Sequence, residues 1–163
     1  KPEPRPLDRD APPGRSYVAR RVISKPLSCV GCPLYQTGLG FVPDEHVAEA
    51  EVFVLGQNPG ATEEREGRPF VGKTGAYMVE RFFPAAGLER GINVSIGNAL
   101  RCRWSRSDKL PPESVLKPAL AHCHAAHFRP GSQTRLIVAQ GALAWRVLGG
   151  PGPITVWRGF LKS

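Results

Sequence analysis

Long apolar runs are missing from this sequence, and none approaches the roughly 20 residues that span a membrane. The N-terminal segment is rich in Pro and Arg and lacks the apolar core of a secretory signal. From these two absences we expect a cytoplasmic protein with no membrane partner. Acidic residues are also scarce, with 14 Asp and Glu against 22 Lys and Arg, so the formal net charge is +8. This charge favours a polyanionic partner, chiefly nucleic acid; the alternative is a charge that only keeps the surface soluble.

Length and composition favour one folded domain behind a basic arm. A chain of 163 residues suits a single domain, and its 41% hydrophobic content supplies a core. Residues 1–27 hold seven Lys or Arg, three acidic residues and six prolines. Such a composition cannot bury much apolar area. We therefore predict a flexible arm over 1–27, in loose contact with phosphates or serving only as a linker, and a domain over 28–163.

The chain has only four cysteines, which are Cys29, Cys32, Cys102 and Cys123. In a cytoplasmic protein, four cysteines indicate metal ligands rather than two disulfides. The C-x-x-C spacing of the first two suits one metal centre, and the other two would complete a tetrahedral set. Four thiolates suit either zinc or an iron–sulfur cluster, and the spacing does not separate the two. Four buried, unligated thiols are the remaining alternative.

Three histidines crowd the last cysteine in the segment "HCHAAH". If residues 114–128 are helical, His127 shares a face with Cys123, whereas His122 and His124 point about 100° away. We therefore predict that His122 and His124 lie at the surface. His127 is predicted to be a packed or surface residue and not a metal ligand.

Hydrophobic spacing predicts an α/β fold. Short apolar runs predict strands at 51–56, 92–98 and 135–141, and helical spacing predicts helices at 74–88, 114–128 and 142–150. Strands that alternate with helices indicate a parallel sheet. Ligands of such sheets bind beyond the carboxyl ends of the strands. The segments that leave the strands, "GQNPG", "GNALRC" and "AQGAL", are therefore expected to meet in one crevice.

One glycine-rich segment imitates a nucleotide-binding loop. "GRPFVGKT", residues 67–74, fits the P-loop pattern G-x-x-x-x-G-K-[ST]. A P-loop follows its strand directly, but here the predicted strand ends eleven residues before Gly67. Pro69 also removes an amide that a phosphate cradle would use. We interpret the match as coincidence and keep a nucleotide hydrolase as a distant third hypothesis.

The same stretch, "VLGQNPGATEEREGRPFVGKTG", resembles the first motif of the uracil-DNA glycosylase superfamily. An early "CVGC", a strand ending in "GNALRCRW", and the segments "LIVAQGALAWRVLG" and "ITVWRG" extend the resemblance to its iron–sulfur, family-4 branch. It covers about residues 29–159. The resemblance implies a three-layer α/β/α sandwich on a short parallel sheet. It also implies that the four cysteines bind a structural 4Fe–4S cluster, with Cys123 the least secure ligand because its gap is longer than usual.

The resemblance also implies roles for single residues in removing uracil from DNA. Phe70 would stack on the flipped base, and Asn98, with one donor and one acceptor, would match uracil O4 and N3–H. A core phenylalanine and a turn-forming asparagine are the alternatives. Glu63 matches a pocket acid that helps exclude the methyl group of thymine; its alternative is an exposed charge in an acidic run. Lys73 and Arg158 are predicted DNA contacts.

The motif departs from the family-4 pattern at Gln57 and Asn58. "GQNPG" is instead similar to the mismatch- and single-strand-selective branches. There, the asparagine orients the attacking water through its carbonyl oxygen, and the residue at Gln57 offers its backbone amide to uracil O2. The family's closing strand and His-Pro-Ser motif are missing here, since no His of this chain precedes Pro. Either the sequence is part of a longer protein or the domain is degenerate.

Two main hypotheses follow. The first is a repair enzyme that hydrolyses the N-glycosidic bond of uracil in single- or double-stranded DNA. The second is a degenerate, glycosylase-like DNA-binding module associated with a replication protein or a phage DNA polymerase. Excision of uracil from an oligonucleotide separates the two.

Overall fold

The computed structural model describes residues 23–106 and 109–156. Residues 1–22 of the predicted arm and Arg158 lie outside this part of the chain. The described residues contain a parallel sheet in the order β2-β1-β3. Its strands are β1 (Val52–Gly56), β2 (Val94–Asn98) and β3 (Leu136–Ala139). All three fall within the predicted strand ranges.

Helices flank the sheet, and they are α1 (Ala61–Glu66), α2 (Lys73–Tyr77), α3 (Phe83–Ala85), α4 (Glu113–His127) and α5 (Ala142–Val147). A π-helical turn, Met78–Phe82, joins α2 to α3, so residues 73–85 form one continuous helical segment. The helix α1 lies outside the predicted helices, because its residues carry no apolar stripe. Within the described ranges, none of the helices combines the length and hydropathy that crossing a membrane requires.

Alternate residues of β1 face opposite layers. Val54 packs in one cluster with Phe83 of α3. Phe53 and Leu55 pack on the other side of the sheet with Ala144 of α5. Since β1 is covered on both faces, its near-continuous apolar sequence is typical of a central parallel strand. The arrangement is a three-layer α/β/α sandwich, as predicted.

A buried ion pair ties the loop before β1 to the segment after β2. Arg101 donates from Nε to Asp44 Oδ1 (3.0 Å) and from Nη2 to Asp44 Oδ2 (2.6 Å). Only 2% of the Arg101 side chain and 3% of the Asp44 side chain are exposed. Gly97 lies directly against the Asp44 carboxylate, where a Cβ atom would overlap it. The pair therefore fixes the chain next to both strands that end at the predicted crevice.

Candidate functional site

A cavity of about 440 Å³ lies at the carboxyl ends of the strands. Six of the predicted site residues line it: Gln57, Asn58, Glu63, Phe70, Lys73 and Asn98. The three loops that leave the strands reach it, as the parallel topology predicts. The cavity is large enough for a small-molecule-sized group such as a nucleobase.

Phe70 and Asn98 meet over Gly56. Asn98 is the last residue of β2, is 4% exposed, and lies opposite Gly56 in the sheet register. A Cβ atom on Gly56 would lie 2.5 Å from Asn98 Oδ1 and 2.8 Å from the Phe70 ring. Only glycine leaves room at this position for both side chains. A planar group in the cavity can therefore contact an aromatic face and a side-chain amide together.

Phe70 has a left-handed backbone, with φ of 55°. This conformation is costly for a bulky residue and persists only where the surroundings enforce it. Arg90 supplies that restraint, since Nη1 donates to Phe70 O (3.1 Å) and Nη2 donates to Pro69 O (2.6 Å). The sequence analysis did not predict this role for Arg90, because 20 residues separate it from Phe70.

Glu45 completes the restraint. Its carboxylate accepts hydrogen bonds from Arg90 Nε and Arg68 Nε, both at 2.8 Å. Its backbone pairs with Ile96 of β2, which anchors it to the sheet. Burial opposes ionisation of Glu45, but the hydrogen bonds and charges of the two arginines outweigh burial and hold its pKa below the usual value. The position of Phe70 thus depends on an ionised carboxylate at the neighbouring strand.

Glu63 is buried and holds three backbone amides. Its Oε1 accepts from Val71 N (3.1 Å) and Gly72 N (2.6 Å), and its Oε2 accepts from Gly60 N (3.0 Å). The carboxylate therefore joins the start of α1 to the loop before α2. The alternative of an exposed charge in an acidic run is wrong, since only 9% of Glu63 is accessible.

Asn58 and Gln57 occupy the loop after β1. Asn58 Nδ2 donates a hydrogen bond to Pro59 O at 2.9 Å. The acceptor atom of the Asn58 side chain is its carbonyl oxygen, Oδ1. Gln57 accepts a hydrogen bond from Leu143 N through Oε1 at 3.2 Å. Its side chain also fills the space beside Gly141, where a Cβ atom would be 2.6 Å from Gln57 Cδ. Gln57 therefore joins the β1 loop to the start of α5.

The segment that imitates a P-loop does not have P-loop geometry. Gly67 closes α1 in a left-handed conformation, with φ of 67°, and it does not follow a strand. Lys73 begins α2 and is exposed where it lines the cavity. The interpretation of the sequence match as coincidence agrees with this arrangement.

The cavity lining also includes residues that the sequence did not identify, among them Thr74, Met78 and Gln140. Gln140 follows β3 and its N–H donates to Leu55 O at 2.8 Å. Its position directly after a parallel strand is the sequence signal that could have identified it.

A second, smaller pocket is lined by all four cysteines, together with Lys25, Arg101, His122 and His127. None of the four is in a disulfide. Cys29 and Cys32 lie in the turn at residues 29–32, Cys102 follows β2, and Cys123 lies on α4. The topology therefore brings together the four thiols that the sequence proposes as ligands.

Burial and repulsion from neighbouring thiols raise the pKa of Cys29, Cys102 and Cys123. Burial is the main cause for Cys29, whose pKa rises to about 11, and Cys123 and Cys32 raise it further. Burial likewise raises the pKa of Cys102 to about 12, and the other three cysteines contribute in the same direction. These couplings show that the sulfurs lie within electrostatic reach of one another.

Basic and aromatic groups surround the thiols. Arg101 directs its backbone N–H at Cys123 Sγ (3.4 Å), and its guanidinium links the same region to Asp44. His127 Nε2 lies 3.2 Å from Cys29 Sγ, so His127 contacts a proposed ligand. His122 and His124, predicted at the surface, are partly exposed, and each has a neighbour. Both are half-buried, because His122 Nε2 contacts Ser28 O at 2.9 Å and His124 stacks on Phe128.

Among residues 23–106 and 109–156, no group of three or more His, Cys, Asp or Glu side chains is arranged to hold a metal ion. The four thiols line a shared pocket with basic groups at its edge, and this donor set suits either zinc or an iron–sulfur cluster.

Comparison with known proteins shows the family to which the chain that carries these two sites belongs. A family model for the uracil DNA glycosylase superfamily matches residues 43–159, which is most of the chain. The chain belongs to the uracil-DNA glycosylase superfamily. The match includes the cavity loops and two of the four cysteines, and it begins after the C-x-x-C motif.

Curated relatives of this superfamily member are type-4 uracil-DNA glycosylases. That of Sulfurisphaera tokodaii is 40% identical over 77 residues, which are 47% of this chain and 34% of the relative. That of Archaeoglobus fulgidus is 34% identical over 96 residues, or 59% of this chain and 47% of the relative. That of Thermotoga maritima is 32% identical over 130 residues, or 80% of this chain and 65% of the relative. The chain thus spans only about a third to two thirds of these relatives, and they confirm the resemblance to the family-4 branch.

Proposed function

We propose that this domain hydrolyses the N-glycosidic bond of uracil in DNA. The observation that carries the proposal is the convergence of Asn58, Phe70 and Asn98 on one cavity at the ends of the strands. The superfamily match and the type-4 uracil-DNA glycosylases among the relatives support the same reaction.

A glycosylase must first take the base out of the stack. In the proposed complex the flipped uracil enters the cavity and lies against the Phe70 ring, and the Asn98 amide bonds uracil O4 and N3–H. Gly56 keeps the cavity open between these two side chains. Thymine carries an additional methyl group, and the loops that Glu63 holds together limit the room for it.

Bond cleavage places negative charge on uracil and positive charge on the sugar. In our proposal the Asn58 carbonyl oxygen accepts a hydrogen bond from the attacking water, while its Nδ2 remains bonded to Pro59. The amide orients the water and takes up no proton, because an asparagine is not a base at neutral pH. As the sugar–base bond breaks and the water oxygen bonds the sugar carbon, the water's proton passes to solvent and uracil leaves as an anion that solvent protonates. The backbone amide of Gln57 would stabilise the charge that develops at uracil O2, as preorganised donors do in other hydrolases.

The four cysteines are proposed to hold a 4Fe–4S cluster, with zinc as the alternative. When bound, the cluster crosslinks the segments around its four ligands and stabilises the fold. The positive charges of Lys25 and Arg101 lower the pKa of the Cys29 thiol, although burial dominates its raised value, and they would offset the negative charge of four thiolates. We also infer a reducing, cytoplasmic location, which the free cysteines support.

Uracil excision tests the proposed function directly. The full native protein is incubated with a labelled single-stranded oligonucleotide that contains one uracil, and hot alkali then cleaves any abasic site. Strand scission is expected with uracil and not with a thymine control. Asn58→Ala should slow scission about 100-fold, because a displaced nucleophile costs about that factor. Asn93→Ala, an amide in the turn before β2 that bonds Glu89 N, is the matched control.

A failure of excision would point to the binding-module hypothesis. Intact uracil DNA, together with salt-sensitive binding that is indifferent to uracil, would overturn the enzymatic proposal. The binding-module hypothesis would then predict a replication protein as the partner.

A further inference from the structure

Two large aromatic side chains are exposed beside the cavity. Tyr77 is 59% exposed and Phe82 is 58% exposed. Their rings meet edge to face, with centroids 5.7 Å apart and an interplanar angle of 77°. Exposed aromatic pairs of this kind frequently mark a binding surface.

The π-helical turn creates this pair. In an ordinary α-helix, residues five apart lie on different faces, but a π turn brings residues i and i+5 to the same side. Phe82 therefore lies beside Tyr77. Tyr77 in turn is four residues after Lys73, one helical turn along the same face. We call Lys73, Tyr77 and Phe82 the aromatic stripe.

The aromatic stripe begins at the cavity and continues beside it. Lys73 lines the cavity, and so does Met78, which lies between Tyr77 and Phe82. At 1.5 Å per residue, the nine steps from Lys73 to Phe82 span about 13 Å. That length corresponds to about four nucleotides at their stacked spacing of about 3.4 Å.

Folding does not account for the exposed rings. The opposite side of the same helical segment already packs on the sheet, since Phe83 is buried and Val79 packs against the same cluster. Tyr77 and Phe82 keep more than half of their surface in solvent. Substituting them is therefore expected to cost little stability.

Charge favours a nucleic-acid occupant over an apolar one. Lys73 and Arg81 are exposed on this segment, against the single exposed acid Glu80. The whole chain carries a formal charge of +8. Cationic side chains among exposed aromatics are typical of single-strand binding, because each base offers a face for stacking and each linkage a phosphate. A duplex hides its base faces.

We propose that the aromatic stripe binds unpaired nucleotides next to the base in the cavity, so that the preferred substrate is single-stranded DNA. The proposal rests on the proposed function only for the identity of the base in the cavity. Stacking on Tyr77 and Phe82 would hold the strand, while Lys73 contacts a phosphate near the cavity mouth.

Fluorescence anisotropy with a labelled single-stranded oligonucleotide that contains thymine and no uracil tests the stripe without any catalysis. The double variant Tyr77→Ser/Phe82→Ser should raise the Kd at least about 10-fold, since stacking of a base is worth a factor of this size or more. Its salt dependence should stay the same because the phosphate contacts remain. Ile92→Ser is the matched control, because Ile92 is 60% exposed and lies before the start of β2. It should bind as the wild type does.

A second variant guards against simple loss of folding. Tyr77→Leu/Phe82→Leu keeps apolar area and removes the aromatic faces, so it should bind single strands as weakly as the serine variant at an unchanged Tm. Unchanged Kd values in both folded variants would overturn the proposal. So would sedimentation showing that the stripe holds two copies of the chain together while DNA binding is unaffected.

The two proposals fail in different ways. If the wild type leaves uracil in place but the stripe variants still lose single-strand binding, the proposed function is wrong and the proposal for the aromatic stripe is retained. If uracil is excised normally and stripe variants bind single strands like the wild type, only the stripe proposal fails.

Discussion

Arg90 holds the backbone of Phe70 in place: its Nη1 lies 3.1 Å from Phe70 O, and Phe70 has a φ of 55°. The strained residue is also the aromatic residue that faces the cavity. Strain that is enforced by neighbours at a candidate site is typical of preorganisation. Arg90 therefore acts on the cavity through Phe70 and does not line it.

Arg90→Ala should lower kcat/KM for uracil excision chiefly through a higher KM, because Phe70 leaves the left-handed conformation and no longer supports the base. A double-mutant cycle with Phe70→Ala measures this coupling. We expect Phe70→Ala to lower kcat/KM little further once Arg90→Ala is present. Arg90→Lys should restore little of the lost kcat/KM, since an ammonium cannot span two carbonyls and a carboxylate. Additive effects of the two substitutions would contradict the role of Arg90.

Glu45 makes the restraint sensitive to acid. Its pKa is lowered in the folded protein from an ordinary value of 4.5, so the unfolded chain binds its proton first as pH falls. The stabilisation is thus present above about pH 4.5 and is lost as pH falls through the folded-state pKa. Urea unfolding of the wild type and of Glu45→Gln should therefore differ in free energy above about pH 4.5, and the difference should shrink as the pH falls further below that value. If the free energy of unfolding depended on pH in the same way for both proteins, this role of Glu45 would be refuted.

Gly56→Ala should close the cavity, because its Cβ would lie 2.5 Å from Asn98 Oδ1 and 2.8 Å from the Phe70 ring. We expect KM for uracil DNA to rise at least about 10-fold, with the binding of thymine oligonucleotides retained. Gly131→Ala is the matched control, since the nearest atom to its Cβ is 3.5 Å away and its backbone suits alanine. Equal kinetics for the two variants would show that Gly56 does not separate the site residues.

The Asp44–Arg101 pair should dominate the electrostatic contribution to stability. Asp44→Asn leaves a buried guanidinium without its counter-charge, and the free energy of unfolding should fall by about 3–5 kcal/mol. Glu113→Gln removes an exposed partner of Arg146 and should lower the free energy of unfolding far less than Asp44→Asn does. Urea titration of both variants gives the comparison. A small loss for Asp44→Asn would mean that water or a neighbour compensates Arg101.

Cys123→Ser tests the thiol pocket. If the four cysteines hold a cluster, the purified protein is brown, and the variant loses the broad visible absorbance together with thermal stability. The matched substitution Ser28→Cys, beside the pocket at an exposed position, should leave both unchanged. A colourless protein with one zinc per chain would establish the alternative metal, and a metal-free protein of unchanged stability would exclude a ligand role.

Several features of this protein could be predicted from its sequence. The apolar runs predicted β1, β2 and β3, because a central parallel strand needs apolar residues on both faces. Parallel topology then brings the loops after these strands to one edge, so Asn58 and Asn98 could be assigned to a common crevice in advance. The helix α1 could not be predicted, since its residues are polar and its stability comes from Gly60, Glu63 and Gly67 at its ends.

Only the tertiary structure decided which charged side chains are buried and what they hold. In the sequence Glu63 is one of three acids in residues 63–66, yet it is the one that binds three amides. Arg90, Glu45 and Phe70 come from three distant segments, and His127 meets Cys29 across 98 residues. Hydrophobic periodicity reports local burial, whereas the partner of a buried charge is set by which segments the folded sheet brings within hydrogen-bonding distance. Sequence therefore determined the strands and the chemistry available at their ends, and packing determined how those groups are oriented and restrained.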